Sequence, residues 1–194
     1  NGSAPSDAIV LFDGTSLDAW ESVNGGDAPW ILNEDGSMTV ADRTGDIRTK
    51  DVFGSAQLHI EWRSPATVRG SNQSRANSGV YLQDKYEIQV LDNNDNPTYV
   101  NGQVGSIYKQ SIPLAMASVP SGEWNTYDII FHAPEFNDAG NIHIFKDIEV
   151  RNNELFITLT YPYELYSDSI LYYKNSALID LYTFVTFVAI KNGH

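Results

Sequence analysis

The feature that most constrains this chain is the alternation of apolar and polar residues over short stretches. The segment 58–63 reads Leu-His-Ile-Glu-Trp-Arg, and successive side chains of a strand point to opposite faces, so one face is apolar and the other polar. Further segments of this kind occupy residues 37–40, 56–63, 79–83, 86–91 and 125–132. Stretches rich in Gly, Asn, Asp and Pro separate them, as turns require. The pattern predicts an all-β protein, folded as a two-sheet antiparallel sandwich of the jelly-roll kind.

The length of 194 residues and the apolar content of 42% suffice for one domain with a real core. We predict a single domain over residues 1–194, in which residues 1–8 form a flexible N-terminal segment. Thirteen of the fourteen glycines precede residue 141, whereas the later residues are rich in Tyr, Leu, Ile, Phe and Thr. These residue types favour strands. Residues 141–194 are therefore predicted to form atypical C-terminal strands.

The charge balance excludes several classes of partner. Twelve basic and 25 acidic residues give a net charge of −13, which repels phosphate backbones and anionic membrane surfaces. No stretch reaches the roughly 18 apolar residues of a membrane span. Cysteine is absent, which excludes disulfides and thiolate chemistry. Sugars remain suitable ligands, because they need hydrogen bonds and aromatic faces rather than charge. The first residues resemble a mature N-terminus, and we expect a secreted, periplasmic or cell-surface protein.

Polar side chains recur on the outward face of three predicted strands. Alternation places one group of seven on a single predicted sheet surface, namely His59, Glu61, Arg63, Tyr81, Gln83, Glu87 and Gln89. Two interpretations are open: an ordinary solvated face, or a groove that binds sugar. The link Asp84-Lys85 between two of the strands predicts a tight hairpin.

The run 92–96 reads Asp-Asn-Asn-Asp-Asn and is dense in possible oxygen ligands. It lacks the glycine and the distal glutamate of an EF-hand loop, and Asn and Asp favour turns. A plain turn is therefore predicted. The four histidines show no metal-binding spacing, and no Gly-rich phosphate loop or nucleophile elbow is present.

Six blocks of sequence occur in an order that resembles one known family. They are LFDGTSLDAW at 11–20, GDIRTK at 45–50 with Phe-Gly at 53–54, LHIEWR at 58–63, NSGVYLQ at 77–83, YEIQVLD at 86–92 and GEWNTYDI at 122–129. Together they resemble the 3-keto-disaccharide hydrolase family, a bacterial group also known as DUF1080. The match is clear over about residues 9–140 and poor after 140, where the family's usual Gln-Asp-His-Gly-type segment has no counterpart.

This resemblance implies a concanavalin/LamG-like jelly roll that acts on 3-keto-disaccharides or 3-keto-glucosides. A ketone at C3 acidifies the proton on C2, so a base can remove it, the enolate can expel the C1 substituent, and water can then add. Such a site needs a base and a stabiliser for the enolate oxygen.

The resemblance also suggests roles for particular residues. Glu87 is the expected base or a possible metal ligand, Arg63 or His59 the enolate stabiliser, and Glu61 the group that orients it. A divalent cation could replace the stabiliser, since two carboxylates and His59 share the predicted face. The expected substrate-binding residues are Gln89, Gln83, Tyr81 and Arg48.

Two other functions remain open. Glu87 and Asp92 loosely resemble the paired acids of jelly-roll glucanases, although alternation points them to opposite faces. A non-catalytic carbohydrate-binding or surface-assembly module would use the same fold, and the C-terminal strands could mediate self-association.

Overall fold

The computed structural model describes residues 4–140, 142–144, 147–153, 155–159 and 183–191. Its strands are β1 (Ile9–Phe12), β2 (Trp20–Ser22), β3 (Ile31–Leu32), β4 (Met38–Thr39), β5 (Ile47–Thr49), β6 (Ala56–Arg63), β7 (Ser78–Leu82), β8 (Tyr86–Val90), β9 (Asn125–His132), β10 (Glu135–Phe136), β11 (Ile142–Ile144), β12 (Asp147–Asn152), β13 (Leu155–Leu159) and β14 (Thr183–Lys191). Two short 3-10 turns lie at Asn72–Ser74 and Val100–Gly102. The predicted strands at 56–63 and 125–132 coincide with β6 and β9, and the other three predicted strands are matched within one or two residues.

Antiparallel pairing joins the strands into one large sheet and three smaller pairs. The large sheet runs in the order β13-β12-β9-β6-β14-β4-β3, and β1 also pairs with β14. The small pairs are β2-β5, β7-β8 and β10-β11. The long strand β6 lies at the middle of the large sheet, because β9 pairs along one of its edges and β14 along the other.

The core lies between the large sheet and the β7-β8 hairpin. Ile60 and Trp62 of β6 and Ile88 of β8 are at most 1% exposed, as alternation predicted. Burying side chains of this size contributes about 1.5–3 kcal/mol each. The Tyr127 hydroxyl, from β9, donates a 2.6 Å hydrogen bond to the Gln89 carbonyl of β8 and so ties the layers together. The all-β jelly-roll sandwich is therefore confirmed.

The C-terminal strand β14 is an internal strand of the large sheet. It pairs with β6 on one side and with β1 and β4 on the other. Self-association through the C-terminal strands stays a prediction, as does the division into a flexible segment and one domain. Across the described ranges, no helix is long and apolar enough to span a membrane.

A buried ion pair fastens the loops at one end of the sandwich. The Arg75 guanidinium, 9% exposed, contacts Asp92, 4% exposed, at 3.0 Å and 3.2 Å. The Ser121 hydroxyl donates to the same carboxylate at 2.6 Å. Nearby, the Asn96 amide donates to the carbonyls of Asn72 and Asp92. The run 92–96 is a turn, as predicted, and its buried oxygens serve these internal bonds.

Candidate functional site

The β7-β8 hairpin carries the acid at the centre of the candidate site. Tyr81 of β7 lies directly across from Glu87 of β8, and the Tyr81 hydroxyl donates a hydrogen bond to the Glu87 carboxylate. Alternation turns both side chains away from the core, because Ile88 and its neighbours on β8 fill the inner face. The hairpin therefore presents a phenol and a carboxyl group together on its outer side.

The electrostatics of Glu87 suit proton transfer near neutral pH. Burial raises the pKa of Glu87, the hydrogen bond from Tyr81 lowers it, the negative charge of Asp46 raises it, and the ammonium of Lys109 lowers it; the resulting value is about 7. A catalytic acid or base works best when its pKa lies close to the working pH. Perturbed carboxyl groups of this kind are typical of functional sites.

Gly79 makes room for the Glu87 side chain. A Cβ atom at this position would lie 2.5 Å from Glu87 Oε1 and 2.6 Å from Glu87 Cγ, both far inside van der Waals contact. The carboxyl group can therefore occupy its position only because residue 79 has no side chain.

Replacing Gly79 by alanine should displace the Glu87 carboxylate while the sheet persists. We expect any reaction in which Glu87 accepts a proton to slow about 10-fold to 100-fold, as is common when a reacting group moves by about 1 Å. Gly54→Ala is the matched control, because a Cβ at Gly54 meets nothing within 4 Å. Steady-state kinetics of both variants test this, and equal activities would contradict the positioning role.

A long segment between β8 and β9 forms the wall beside Glu87. Within it Ile107 bridges to β8, and the Tyr108 amide donates to the Glu87 carbonyl at 2.9 Å. The hydroxyls of Tyr99 and Tyr108 are hydrogen-bonded, with ring centroids 6.2 Å apart. The Lys109 ammonium lies 5.2 Å from the Tyr108 ring centre. Aromatic and charged groups thus stand next to the acid.

Gln89 supports this wall from within. Its side chain is fully buried, and its Nε2 donates to Gln73 Oε1 at 2.9 Å and to the Gly102 carbonyl at 3.2 Å. Gln73 donates to the same carbonyl at 2.8 Å. We expected Gln89 on an exposed sheet face; the segment after β8 folds back and covers it instead. Its contacts are those of a residue that holds the loop.

His59, Glu61 and Arg63 lie on the other sheet. Because β6 pairs with β9 and β14 rather than with the hairpin, these side chains point outward from the large sheet, with the core between them and Glu87. His59 Nδ1 lies 2.7 Å from Asp128 Oδ1, a hydrogen bond that raises the pKa of His59. The expectation of one common sheet surface is therefore wrong, and the catalytic roles given to these three residues stay predictions without support from proximity.

Arg63 has local partners of its own. Its Nη2 donates to Asp35 Oδ2 at 3.1 Å, and its guanidinium carbon lies 4.6 Å from the centre of the Trp124 ring. These contacts hold it on the outer side of the large sheet.

Two predicted substrate-binding residues remain, and they lie on separate strand pairs: Arg48 on β5, and Gln83 in the turn between β7 and β8. Arg48 of β5 is paired with Glu21 of β2 at 2.7 Å. Gln83 lies in the hairpin turn, where it and Asp84 both have positive φ angles, and the Lys85 amide donates to the Leu82 carbonyl. The turn is thus centred one residue earlier than the predicted Asp84-Lys85 link. Gln83 is therefore a turn residue rather than a member of the sheet face.

The geometry also contradicts two other expectations, the glucanase-like pair of acids and a metal site shared by His59 and Glu87. Asp92 is engaged by Arg75 and Ser121 in the interior, so a glucanase-like pairing with Glu87 is not formed. His59 and Glu87, which we grouped as possible metal ligands, belong to different sheets. Within the described ranges, no three His, Asp or Glu side chains come together in a metal-binding group.

Several residues of the site were missed from the sequence, namely Asp46, Gly79, Tyr99, Tyr108 and Lys109. One signal could have pointed to three of them. Residues 91–124, between β8 and β9, contain no strand of the sheets and only one short 3-10 turn. Connections longer than about 12–15 residues in a compact domain are usually functional.

Comparison with known proteins supports a carbohydrate-active protein. The model of the 3-keto-alpha-glucoside-1,2-lyase-like domain matches residues 7–168. The chain belongs to this family. The match extends well past Gly140, where the clear resemblance was expected to end.

Solved structures give the same picture. A provisionally named glycosyl hydrolase from Parabacteroides distasonis ATCC 8503 is 45% identical over 97% of this chain and 85% of its own, with a TM-score of 0.85. A second protein of that provisional name and organism is 20% identical over 96% of this chain and 91% of its own, with a TM-score of 0.62, and shares the fold. No curated protein matches the chain.

Proposed function

We propose that this protein cleaves the glycosidic bond of 3-keto-glycosides by elimination, with Glu87 as the base that removes the C2 proton. The observation that carries the proposal is the largely buried Glu87 carboxyl, whose pKa is raised to about 7 beside Tyr81 and the Tyr99–Tyr108 pair. Family membership supports the substrate class.

The chemistry follows from the ketone at C3. Removal of the C2 proton by the Glu87 carboxylate places the electron pair of the C–H bond in a C2–C3 double bond and the carbonyl pair on O3. The pair on O3 then re-forms the carbonyl, the C2–C3 pair moves into a C1–C2 double bond, and the C1–O bond breaks with its pair on the departing oxygen. The departing oxygen takes a proton from water, and the hydroxide that remains takes the proton held by Glu87, which regenerates the carboxylate. A second water then adds across the double bond, with hydroxide at C1 and a proton at C2. No step needs an oxidant or a second carboxylate.

Several side chains around the Glu87 carboxyl group support its role as the base. Tyr81 donates to the Glu87 carboxylate and thereby orients it, while Gly79 provides the space that it occupies. The Lys109 ammonium favours the ionised form of Glu87. Exposed aromatic rings at Tyr81 and Tyr99 offer the faces on which sugars commonly stack.

The proposal is tested by comparing a 3-keto-glucoside with the same glucoside unoxidised. We expect release of the C1 substituent from the 3-keto compound alone, because the unoxidised sugar has no acidic C2 proton. Binding of the 3-keto compound without any release would favour the non-catalytic carbohydrate-binding module. Release from both sugars would contradict elimination.

The pH dependence should show the Glu87 carboxylate acting as a base. A base must be ionised, so kcat/KM should rise about tenfold per pH unit below pH 7 and level off above it, since the raised pKa of Glu87 is about 7. An initial-rate profile between pH 5 and 9 measures this. A profile that falls through pH 7 would show that the protonated carboxyl is the active form.

A further inference from the structure

The proposed elimination requires a hydrogen-bond donor for the enolate oxygen, close to the base. His59 and Arg63 lie on the outer side of the other sheet, with the core between them and Glu87. Beside Glu87 stand three phenols, and the Tyr81 hydroxyl already donates its hydrogen bond to the Glu87 carboxylate. The two that remain are Tyr99 and Tyr108.

The bond between these two hydroxyls leaves one proton for a ligand. A phenol has one O–H donor. One of the two protons forms the bond between the Tyr99 and Tyr108 hydroxyls, so the accepting hydroxyl keeps its own proton to donate outward. Hydrogen bonds in a chain strengthen one another, so the outward proton is a better donor than that of a lone phenol. Tyr99 is 39% exposed, which makes the pair accessible to a substrate.

The pair is placed relative to the base by backbone contacts. The Tyr108 amide donates to the Glu87 carbonyl at 2.9 Å. The Tyr99 ring lies on Gly102, where a Cβ atom would come within 2.1 Å of the ring. The Gly102 carbonyl accepts hydrogen bonds from Gln73 and Gln89. Both phenols are thus fixed to the strand that carries Glu87.

The electrostatics of Tyr99 agree with this placement. Burial raises the pKa of Tyr99 above its usual value, as do the bond to Tyr108 and the charges of Tyr108 and Glu87. Tyr99 therefore keeps its proton at neutral pH and lies within the field of the Glu87 carboxylate. A preorganised donor beside a base is the arrangement that stabilises developing oxyanions.

We propose that the Tyr99–Tyr108 pair is the electrophilic element of the site and donates its outward proton to O3 as the enolate forms. This inference rests on the proposed function. As Glu87 takes the C2 proton, the carbonyl electron pair moves to O3, which accepts the hydrogen bond; when the C1–O bond breaks, the pair returns and the bond to the tyrosine weakens. The tyrosine proton is not consumed.

The experiment is a double-mutant cycle with Tyr99→Phe, Tyr108→Phe and the combined variant on a 3-keto-glucoside. Removing the hydroxyl that faces the substrate should lower kcat about 100-fold, in the range of a lost oxyanion donor, and removing the other should lower it about tenfold. The two act as one unit, so the combined variant should match the larger single loss within about twofold. KM should change little.

Tyr86→Phe, on the core-facing side of the same hairpin, is the control and should retain kcat. Lys109→Met tests the nearby ammonium as a rival stabiliser. An active wild type whose two Phe variants keep full kcat, or whose loss appears only in Lys109→Met, would overturn the tyrosine pair and leave Glu87 as the base. A wild type that does not turn over the 3-keto-glucoside would overturn both the proposed function and this inference.

Discussion

Glu87→Gln should abolish most of the turnover of a 3-keto-glucoside while the protein stays folded. The amide has nearly the shape of the carboxyl group but cannot accept the C2 proton. Loss of a positioned base typically lowers the rate about 10²-fold to 10⁴-fold, and the rate should no longer rise through pH 7. Steady-state kinetics across pH 5–9 measure both effects.

The stability of the same variant separates catalysis from folding. Because burial raises the pKa of Glu87 from 4.5 to about 7, the folded state holds a proton more tightly than the unfolded chain, and the wild type loses stability as the pH rises between these two values. Glu87→Gln carries no such penalty, so at pH 8 it should unfold at the same or a higher temperature than the wild type. Glu34→Gln, at an exposed turn position, is the control and should leave turnover unchanged. Wild-type turnover by Glu87→Gln would contradict the assignment.

Arg75→Met should cause the largest loss of stability among single substitutions in the loops. It leaves the buried Asp92 carboxylate without its cation, and breaking a buried pair on one side costs about 3–5 kcal/mol. Folded proteins are stable by only about 5–15 kcal/mol. For a chain of this size each kcal/mol shifts the melting temperature by about 2–4 °C, so we expect a decrease of about 6–20 °C in thermal unfolding.

Two further variants show whether the unpaired charge is the cause. Arg69→Met removes an exposed arginine from the same loop and should change the melting temperature by a degree or two at most, because surface substitutions usually matter little. The double variant Arg75→Met with Asp92→Leu removes both charges and should regain part of the loss. A double variant less stable than Arg75→Met would show that the pair itself, rather than the stranded carboxylate, determines the stability.

The sequence predicted the strands well, because alternation is a local property. In β6, Ile60 and Trp62 face the core and His59 and Glu61 face outward, as the pattern indicates. The buried side of β8 was likewise predicted, since Ile88 and its apolar neighbours repeat every second residue.

Which strands lie next to each other in a sheet could not be predicted in the same way. Alternation fixes which side of a strand is polar but not which strands lie beside it, and outward faces exist on both sheets of a sandwich. His59 and Glu87 therefore looked like neighbours, although β6 and β8 belong to different sheets. The predicted exposure of Gln89 was wrong for another reason. The segment after β8 covers its side chain and accepts a hydrogen bond from its amide, and alternation within β8 carries no information about such a contact.

Tyr99 and Tyr108 were not predicted as site residues, because they lie in a connection that shows no alternation of apolar and polar residues. Tyr99 and Tyr108 reach the Glu87 region through the 3-10 turn at Val100–Gly102 and a single bridge to β8. Only the length of that connection marked it as functional. Glu87 was singled out from the sequence because it lies within a block that resembles the family, and its role as the base stays a prediction.

The central claim is removal of the C2 proton from a 3-keto-glycoside, and proton NMR of the product formed in D₂O tests it most directly. Elimination followed by addition of water exchanges the proton at C2, so we predict a 3-keto sugar that carries deuterium at C2, formed faster than in a sample without enzyme. Glu87→Gln should form little of it. A cleaved product that keeps its original C2 proton would contradict the mechanism, because the C2 proton would then not have passed from Glu87 to the solvent.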